Sequence, residues 1–288
     1  MVVAIYSRGL DDEQISTIQQ LLAELKMANV TIFLFESLLP SFSNNELITF
    51  STYSDLVNSK VDCLISVGGD GTILDAVTLV RDSNIPILGI NSGRLGFLAS
   101  VGKDEIASAV ESLVNRTFVV DKRSLIHSDS TLPLFGETPF ALNEFALHKT
   151  DASGMIKIHT FINGEFLNTY WADGLIVSTP TGSTGYNLSC SGPIVFPESS
   201  SFVITPVAPH NLNVRPIVVS DTNIISFEVE VRTDKYICVM DARREWVDKS
   251  IQIAVKKENF TVSLVRVNEN SFLSTLRNKL TWGMDKRN

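Results

Sequence analysis

A chain of 288 residues is long enough for one large or two ordinary domains, each burying its own core. Its formal charge of −8 and pI near 5.1 exclude the broad basic face that grips a nucleic-acid backbone, but leave room for a local patch that takes an anionic small molecule. The three cysteines, Cys63, Cys190 and Cys238, are odd in number, far apart and set among apolar or small residues, so they read as reduced core thiols of a cytoplasmic protein. No pair of them has metal-ligand spacing, and no metal site is expected. The start, Met1-Val2-Val3-Ala4-Ile5-Tyr6, enters a strand without a basic leader, and no apolar stretch reaches about 18 residues, so neither secretion nor a membrane is expected.

In chain order, Val2–Tyr6 reads as a strand, Asp12–Met27 as a helix with Ile15, Ile18, Leu22 and Leu25 on one face, and Val30–Phe35 as a second strand. Ser43 to Glu46 resembles a capping box opening a short helix. Val61–Val67 is a short apolar run with the look of a buried strand, and Ile73, Ala76, Val77 and Val80 keep helical spacing after it, with Thr72 available as a cap. Ile85–Ile90 follows as a strand and Lys103–Val114 as a helix. This βαβα rhythm predicts a parallel, doubly wound α/β sheet. From about Phe118 to Val267 the rhythm changes to many short strands, with a hairpin signal at Asn163-Gly164 and alternation in Ile224–Val231, Tyr236–Met240 and Ile251–Val255. The expectation is an α/β domain over 1–115, joined by a C-terminal helix within 271–288, and an all-β domain over 116–270.

Ser66-Val67-Gly68-Gly69-Asp70-Gly71-Thr72 sets glycines in a strand-to-helix turn, where backbone N–H groups and the helix dipole favour anions. Yet it carries a carboxylate, Asp70. The turn fails the G-x-G-x-x-G dinucleotide pattern, because Leu74 stands where the last glycine belongs, and no G-x-x-x-x-G-K-[ST] loop occurs anywhere. Taken alone, it is also compatible with a tight turn and a capping aspartate. A second strand and turn, Asp173-Gly174 through Thr181-Gly182-Ser183-Thr184-Gly185-Tyr186, is packed with hydroxyls and small residues that suit phosphate or ribose, and it lacks the G-x-S-x-G nucleophile spacing. Asn143 and Glu144 interrupt an apolar strand, either as an outward pair at an edge or as an amide and a carboxylate aimed at ribose hydroxyls.

Together and in this order, with Leu88-Gly89-Ile90-Asn91 and Gly93-Arg94-Leu95-Gly96-Phe97 between them and Pro209-His210 and Arg215-Pro216-Ile217 beyond, these motifs resemble the NAD kinases over most of the chain. The Gly-Gly-Asp-Gly turn alone is shared with lipid kinases and 6-phosphofructokinases. The resemblance implies phosphoryl transfer from ATP, or from polyphosphate, to the adenosine 2′-hydroxyl of NAD, giving NADP. It makes Asp70 the base and a binder of NAD, lets Gly71 approach the dinucleotide, and assigns the phosphates to Gly68, Gly69, Gly71 and Thr72. Asn143 and Glu144 would hold ribose or nicotinamide-side groups and Asp173 would contact the nicotinamide end. Thr184, Gly185, Tyr186 and Ser189 would surround the adenine, and Thr181, Asn187 and Leu188 complete the NAD-binding set. Mg²⁺ or another divalent cation would accompany ATP, and a dimer or tetramer is implied.

The chain departs from the resemblance at Asp241-Ala242-Arg243-Arg244-Glu245, where an Asp-Gly-Gln-like turn is frequent; Arg243 is either a ligand donor or part of a solvated hairpin. His127, His148 and His159 read as surface or structural residues and not as catalytic ones, and His210 as a residue of a domain interface. The alternatives are a lipid or sugar kinase, and a dinucleotide sensor without turnover.

Overall fold

The computed structural model describes residues 1–42, 47–93, 96–150, 154–267 and 271–281. Contacts divide the chain into two units, one made of Met1–Lys122 with Val262–Asn288, the other of Arg123–Thr261. The first is built from β1 (Val2–Tyr6), α1 (Asp12–Met27), β2 (Thr31–Phe35), β3 (Ile48–Phe50), α2 (Tyr53–Asn58), β4 (Cys63–Val67), α3 (Asp70–Val80), β5 (Ile87–Ile90) and α4 (Ile106–Asn115). β-branched and apolar runs make the strands parallel and buried; β4 and β5 are buried along their whole length, as strands covered on both faces must be. Asp11 caps α1: its carboxylate accepts the Gln14 N–H at 2.7 Å, and Gln14 Oε1 accepts the Asp11 N–H at 2.9 Å. That start turns Ile18, Leu21, Leu22 and Leu25 onto the sheet.

The strand order is β3-β2-β1-β4-β5, all parallel. The direction of strand addition reverses between β1 and β4, which is the topological switch of a doubly wound sheet. The glycine turn that follows β4 therefore opens at the crevice where such sheets bind ligands. Two expectations differ from what is observed here, and one strand was not anticipated. The helix after the turn begins at Asp70 with Gly69 as its N-cap, and Thr72 lies inside its first turn, its N–H on the Gly69 carbonyl at 3.0 Å. The helix expected from Lys103 begins as a 3-10 turn over Lys103–Glu105 before α4. The strand β3 carried no signal, because only Phe50 of its three residues is buried. The capping box expected at Ser43–Glu46 lies outside the described residues.

The second unit holds β6 (Val119–Ser130), which enters it from the first, then β7 (Phe140–Ala141), β8 (Glu144–His148), β9 (Ile156–Ile162), β10 (Glu165–Ala172), β11 (Gly174–Ser178), α5 (Tyr186–Ser189), β12 (Ser201–Val207), β13 (Ile217–Ser220), β14 (Ile225–Glu230), β15 (Lys235–Met240), β16 (Arg243–Asp248) and most of β17 (Ile253–Arg266). One sheet runs β13-β12-β11-β8-β15-β16, antiparallel throughout. The other pairs β10, β9, β14 and β17 in that order. Asn163 and Gly164 both take positive φ, 51° and 83°, as the tight β9–β10 hairpin requires. The two sheets share one apolar core, in which Phe145 of β8 stacks on Phe227 of β14 with ring centroids 5.9 Å apart. The last strand, expected to stop at Val255, continues to Arg266 through the polar run Lys256-Lys257-Glu258-Asn259, and its end pairs parallel with β5 at Leu264 and Ile87 in the first unit. The final helix α6 (Phe272–Leu280) starts on a Ser271 cap; residues 282–288 of the expected helix lie outside the described residues. Among the described residues no helix is long and apolar enough to cross a membrane.

Phe145 is fully buried, so truncation leaves a cavity between the sheets. Phe145→Ala should cost about 3–5 kcal/mol in urea unfolding; a loss below about 1 kcal/mol would show that the sandwich does not rest on this ring.

Candidate active site

In the first unit the chain leaves β4 through Gly68, whose φ of +148° lies in the region that side chains rarely adopt, and a Cβ there would overlap the Thr72 hydroxyl. Only glycine lets the strand turn so directly into α3. The helix has no side-chain cap, so its first N–H groups are left for an anion. Asp70, however, does not turn into this cradle. Its Oδ2 accepts the Phe97 N–H at 2.8 Å, and its Oδ1 accepts those of Leu98 and Ala99, both at 3.0 Å. The donors around the carboxylate thus come from the loop after β5 and not from the glycine turn, which corrects the sequence expectation. A Cβ on Gly96 would overlap the carboxylate, so this loop lies directly against it. A carboxylate has roughly four lone-pair directions. Three are taken, which orients Asp70 and leaves one direction of a partly exposed group for a hydroxyl. Arg94 and Leu95 of the same motif lie outside the described residues.

Sequence reasoning missed Arg8. It stands just beyond the end of β1, across the switch from the glycine turn, with its guanidinium held by both oxygens of Asp75 at 2.5 Å. Its Nη1 lies 3.6 Å from where a Gly71 side chain would begin. An arginine, paired with Asp75, therefore lies beside the cradle, with its Nη1 turned toward Gly71.

In the second unit the alternation of Asn143-Glu144-Phe145-Ala146-Leu147-His148 decides the geometry. Phe145 and Leu147 face the sandwich core, so Glu144, Ala146 and His148 face the other side of the sheet, opposite Ser178, Ile176 and Gly174 of β11. β8 is a central strand and Glu144 is 8% exposed, which excludes the outward pair at an edge. The 3-10 turn Thr181–Thr184 and α5 cover this face. Gly182 permits it, since a Cβ there would overlap the Asn143 backbone. Gly185 comes next to both polar side chains, with its Cβ position 3.4 Å from Glu144 Oε2 and 3.6 Å from Asn143 Nδ2. Tyr186 is exposed and its ring lies 5.6 Å from that of His148. Asp173, half-buried at the start of β11, pairs with Lys149 at 2.7 Å.

The structure thus gathers Asn143, Glu144, Thr181, Thr184, Gly185 and Tyr186 on one face, with Leu188 and Ser189 following on α5. Asn187 is different. It is fully buried, donates to the Ser183 and Pro193 carbonyls at 3.0 Å each, and accepts from Thr205 at 2.6 Å, so its amide ties the turn together and has no group left for a ligand. Arg243 also resolves: it donates to the Thr138 carbonyl and hydroxyl and to the Phe140 carbonyl, inside the fold. His127 bridges Glu258 and Asp129, and His159 bridges Thr169 and Glu230, both structural roles. His148 lines the candidate face beside Tyr186. His210 stacks on Trp171 at 4.8 Å.

Burial and the neighbouring Asp241 push the Glu144 carboxyl up to about 8, and its Oε2 has no hydrogen-bond partner. An unpaired buried carboxyl oxygen beside an amide, hydroxyls and a glycine suits a ligand rich in hydroxyl groups. Burial holds His148 below the usual histidine range, against the pull of Asp173, so it is neutral near pH 7. Among the described residues no three His, Cys, Asp or Glu cluster as metal ligands, and all three cysteines are free thiols.

Residues 9–118 match the ATP-NAD kinase N-terminal domain family, and residues 142–267 match the ATP-NAD kinase C-terminal domain family. The chain is 46% identical over 298 residues to an NAD kinase of Cytophaga hutchinsonii and 43% identical over 295 residues to one of Flavobacterium psychrophilum, covering all of both chains in each case. It belongs to the NAD kinase family. Among solved structures, an NAD kinase from Archaeoglobus fulgidus in complex with ATP superposes with a TM-score of 0.76 at 27% identity, covering 98% of this chain and 99% of that one. Yeast NADH kinase complexed with NADH shares the fold, with a TM-score of 0.90 at 22% identity over 100% of this chain and 89% of that one. Membership of the NAD kinase family extends across both units, well beyond the glycine turn shared with lipid and sugar kinases.

Glu144 gives this site a pH signature. Its folded pKa of about 8 lies above the ordinary 4.5, so between these values the folded chain holds a proton that the unfolded chain has lost. Stability is whole below the lower value and falls by up to about 1.4 kcal/mol per pH unit toward the upper one. Glu144→Gln removes the term, and its melting temperature relative to the parent should rise steadily from pH 5 to pH 8. A difference that stays flat over that range would mean that Glu144 is ionised throughout.

Proposed function

We propose that this chain transfers the terminal phosphoryl group of ATP to the adenosine 2′-hydroxyl of NAD, producing NADP and ADP. In the step, the ribose oxygen forms the new P–O bond, the bond from the γ-phosphorus to the bridging oxygen breaks, and the hydroxyl proton passes to Asp70. The observation that carries this reading is the Asp70 carboxylate, oriented by three backbone N–H groups with one acceptor direction remaining, at the switch point of the sheet. A ribose hydroxyl is a poor nucleophile, and a positioned base is worth roughly 10²- to 10⁴-fold. The uncapped start of α3, with Gly68, Gly69, Gly71 and Thr72, takes the phosphates, and Arg8 Nη1 adds a donor there.

The ATP bound to the related Archaeoglobus enzyme supports ATP as donor; polyphosphate is an alternative donor. A divalent cation suits the chain only as the companion of the nucleotide's phosphates, whose charge it neutralises when bound. Asn143 and Glu144 hold ribose hydroxyls, Asp173 takes the nicotinamide end, and Thr181, Thr184, Gly185, Tyr186, Leu188 and Ser189 surround the adenine. The enzyme works in the cytoplasm as a homo-oligomer, without nucleic acid or membrane.

A coupled assay for NADP tests the reading directly. Asp70→Asn keeps the size of the side chain and removes the base, so kcat should fall by roughly 10²-fold or more while NAD still binds. Turnover near that of the parent would remove Asp70 from the chemistry.

A further inference from the structure

We propose that the Asp241–Arg243 turn is the positioning element for Asn143 and Glu144: one carboxylate and one guanidinium hold the segment that carries the pair. The proposal rests on the NAD kinase reading for the ligand, and on geometry for the rest.

Asp241 sits in the tight turn between β15 and β16 with φ of 53°, a conformation that aspartate tolerates better than most residues. Its carboxylate accepts three consecutive backbone N–H groups, from Leu142 at 2.8 Å, Asn143 at 2.8 Å and Glu144 at 3.2 Å. Its own N–H returns to the Glu144 carbonyl at 3.1 Å. From the other side, the Thr179 N–H and hydroxyl reach the Asn143 and Leu142 carbonyls at 2.8 and 2.6 Å. The backbone at the pair is therefore fixed at both its donors and its acceptors. Arg243 extends the brace: its fork bonds the Thr138 carbonyl at 2.5 Å, the Thr138 hydroxyl at 2.7 Å and the Phe140 carbonyl, and lies over the Phe135 ring. Glu245 accepts the Phe135 N–H at 2.8 Å. Asp241, Arg243 and Glu245 alternate along the chain, so all three face inward while Ala242, Arg244 and Trp246 are exposed. A planar fork that spans two carbonyls is a task for arginine, and lysine cannot perform it.

The same turn governs charge. Burial raises the Asp241 carboxyl on balance, and the three N–H donors and the Arg243 charge oppose that rise. Glu144 Oε2 has no such partner; burial and the Asp241 charge both oppose its ionisation. The other titratable groups at Glu144 are the Tyr186 phenol and the Cys190 thiol on α5 and just after it, both pushed up by burial and neutral near pH 7. Asp241 is thus the charged neighbour that, after burial, holds the Glu144 carboxyl up.

The test uses the full chain, with NAD and ATP as probes. Asp241→Asn leaves one backbone N–H facing an amide donor and removes the charge at Glu144. The KM for NAD should rise roughly 10- to 100-fold with the KM for ATP within about twofold. The stability difference between the parent and Glu144→Gln has a pH midpoint. That midpoint should move to lower pH when both chains also carry Asp241→Asn, a shift that a purely structural turn does not produce. Arg243→Met and Arg243→Lys should both raise the KM for NAD several-fold; rescue by lysine would mean that Arg243 acts by charge and overturns the bracing role. Unchanged NAD constants in Asp241→Asn, or a loss confined to melting temperature with an unmoved midpoint, also overturn the proposal. If Asp241→Asn does not fold, the two Arg243 variants decide the matter in the same way. If the parent makes no NADP, the functional reading fails, and the midpoint shift still tests the turn.

Discussion

A carboxylate that accepts three successive backbone N–H groups fixes the path of the loop that supplies them, and both units of this chain are organised around one. Asp70 gathers Phe97, Leu98 and Ala99; Asp241 gathers Leu142, Asn143 and Glu144. Charge-assisted bonds of this kind are about twice as strong as neutral ones, and three of them on one group leave a loop little freedom. In the first unit the arrangement orients the carboxylate itself. In the second it orients the residues that donate. The same bonding pattern thus serves a reactive group in one place and a scaffold in the other.

Glycine is the necessary complement. Where a loop must lie against a carboxylate or another backbone, a single Cβ is too much, and Gly96 and Gly182 occupy the two points of closest approach. Each acts through the atoms it omits. The hydroxyl-rich turn over β8 and β11 could not reach the Asn143–Glu144 pair with alanine at position 182.

Much of this was legible in the sequence because its signals are local. The strand β1 and the helix α1 appear at the residues where the apolar run and the helical periodicity place them. The glycine turn and the Asn143–Glu144 pair stand out as polar residues against apolar runs. What escaped depends on contacts between distant segments. Asp241 and Arg243 look like a solvated hairpin unless their alternation with Glu245 is taken as an inward face. Asn187 looks like any polar residue of a binding loop, and only Thr205, Ser183 and Pro193 around it show that its amide is spent. Arg8 carries no motif of its own, because its significance comes from the strand order that sets β1 beside β4. The length of β17 was hidden by four polar residues that the alternation of a half-exposed strand accommodates.

The path of β17 also bears on how the chain is made. Its last residues complete the parallel sheet of the first unit beside β5, yet the whole of the second unit lies between the two in sequence. On a ribosome, β5 emerges early, and its outer edge has only the single bridge to Val101 at its end until Leu264 has been synthesised. An open edge of parallel sheet is a template for another chain, and long-range parallel pairing is slow even once both partners exist. The nascent first unit must therefore wait, with β5 unpaired at Ile87, through the synthesis of more than half the protein. Fast local closure of the second unit's hairpins shortens only the step after synthesis, because β17 then arrives as part of an already formed sheet.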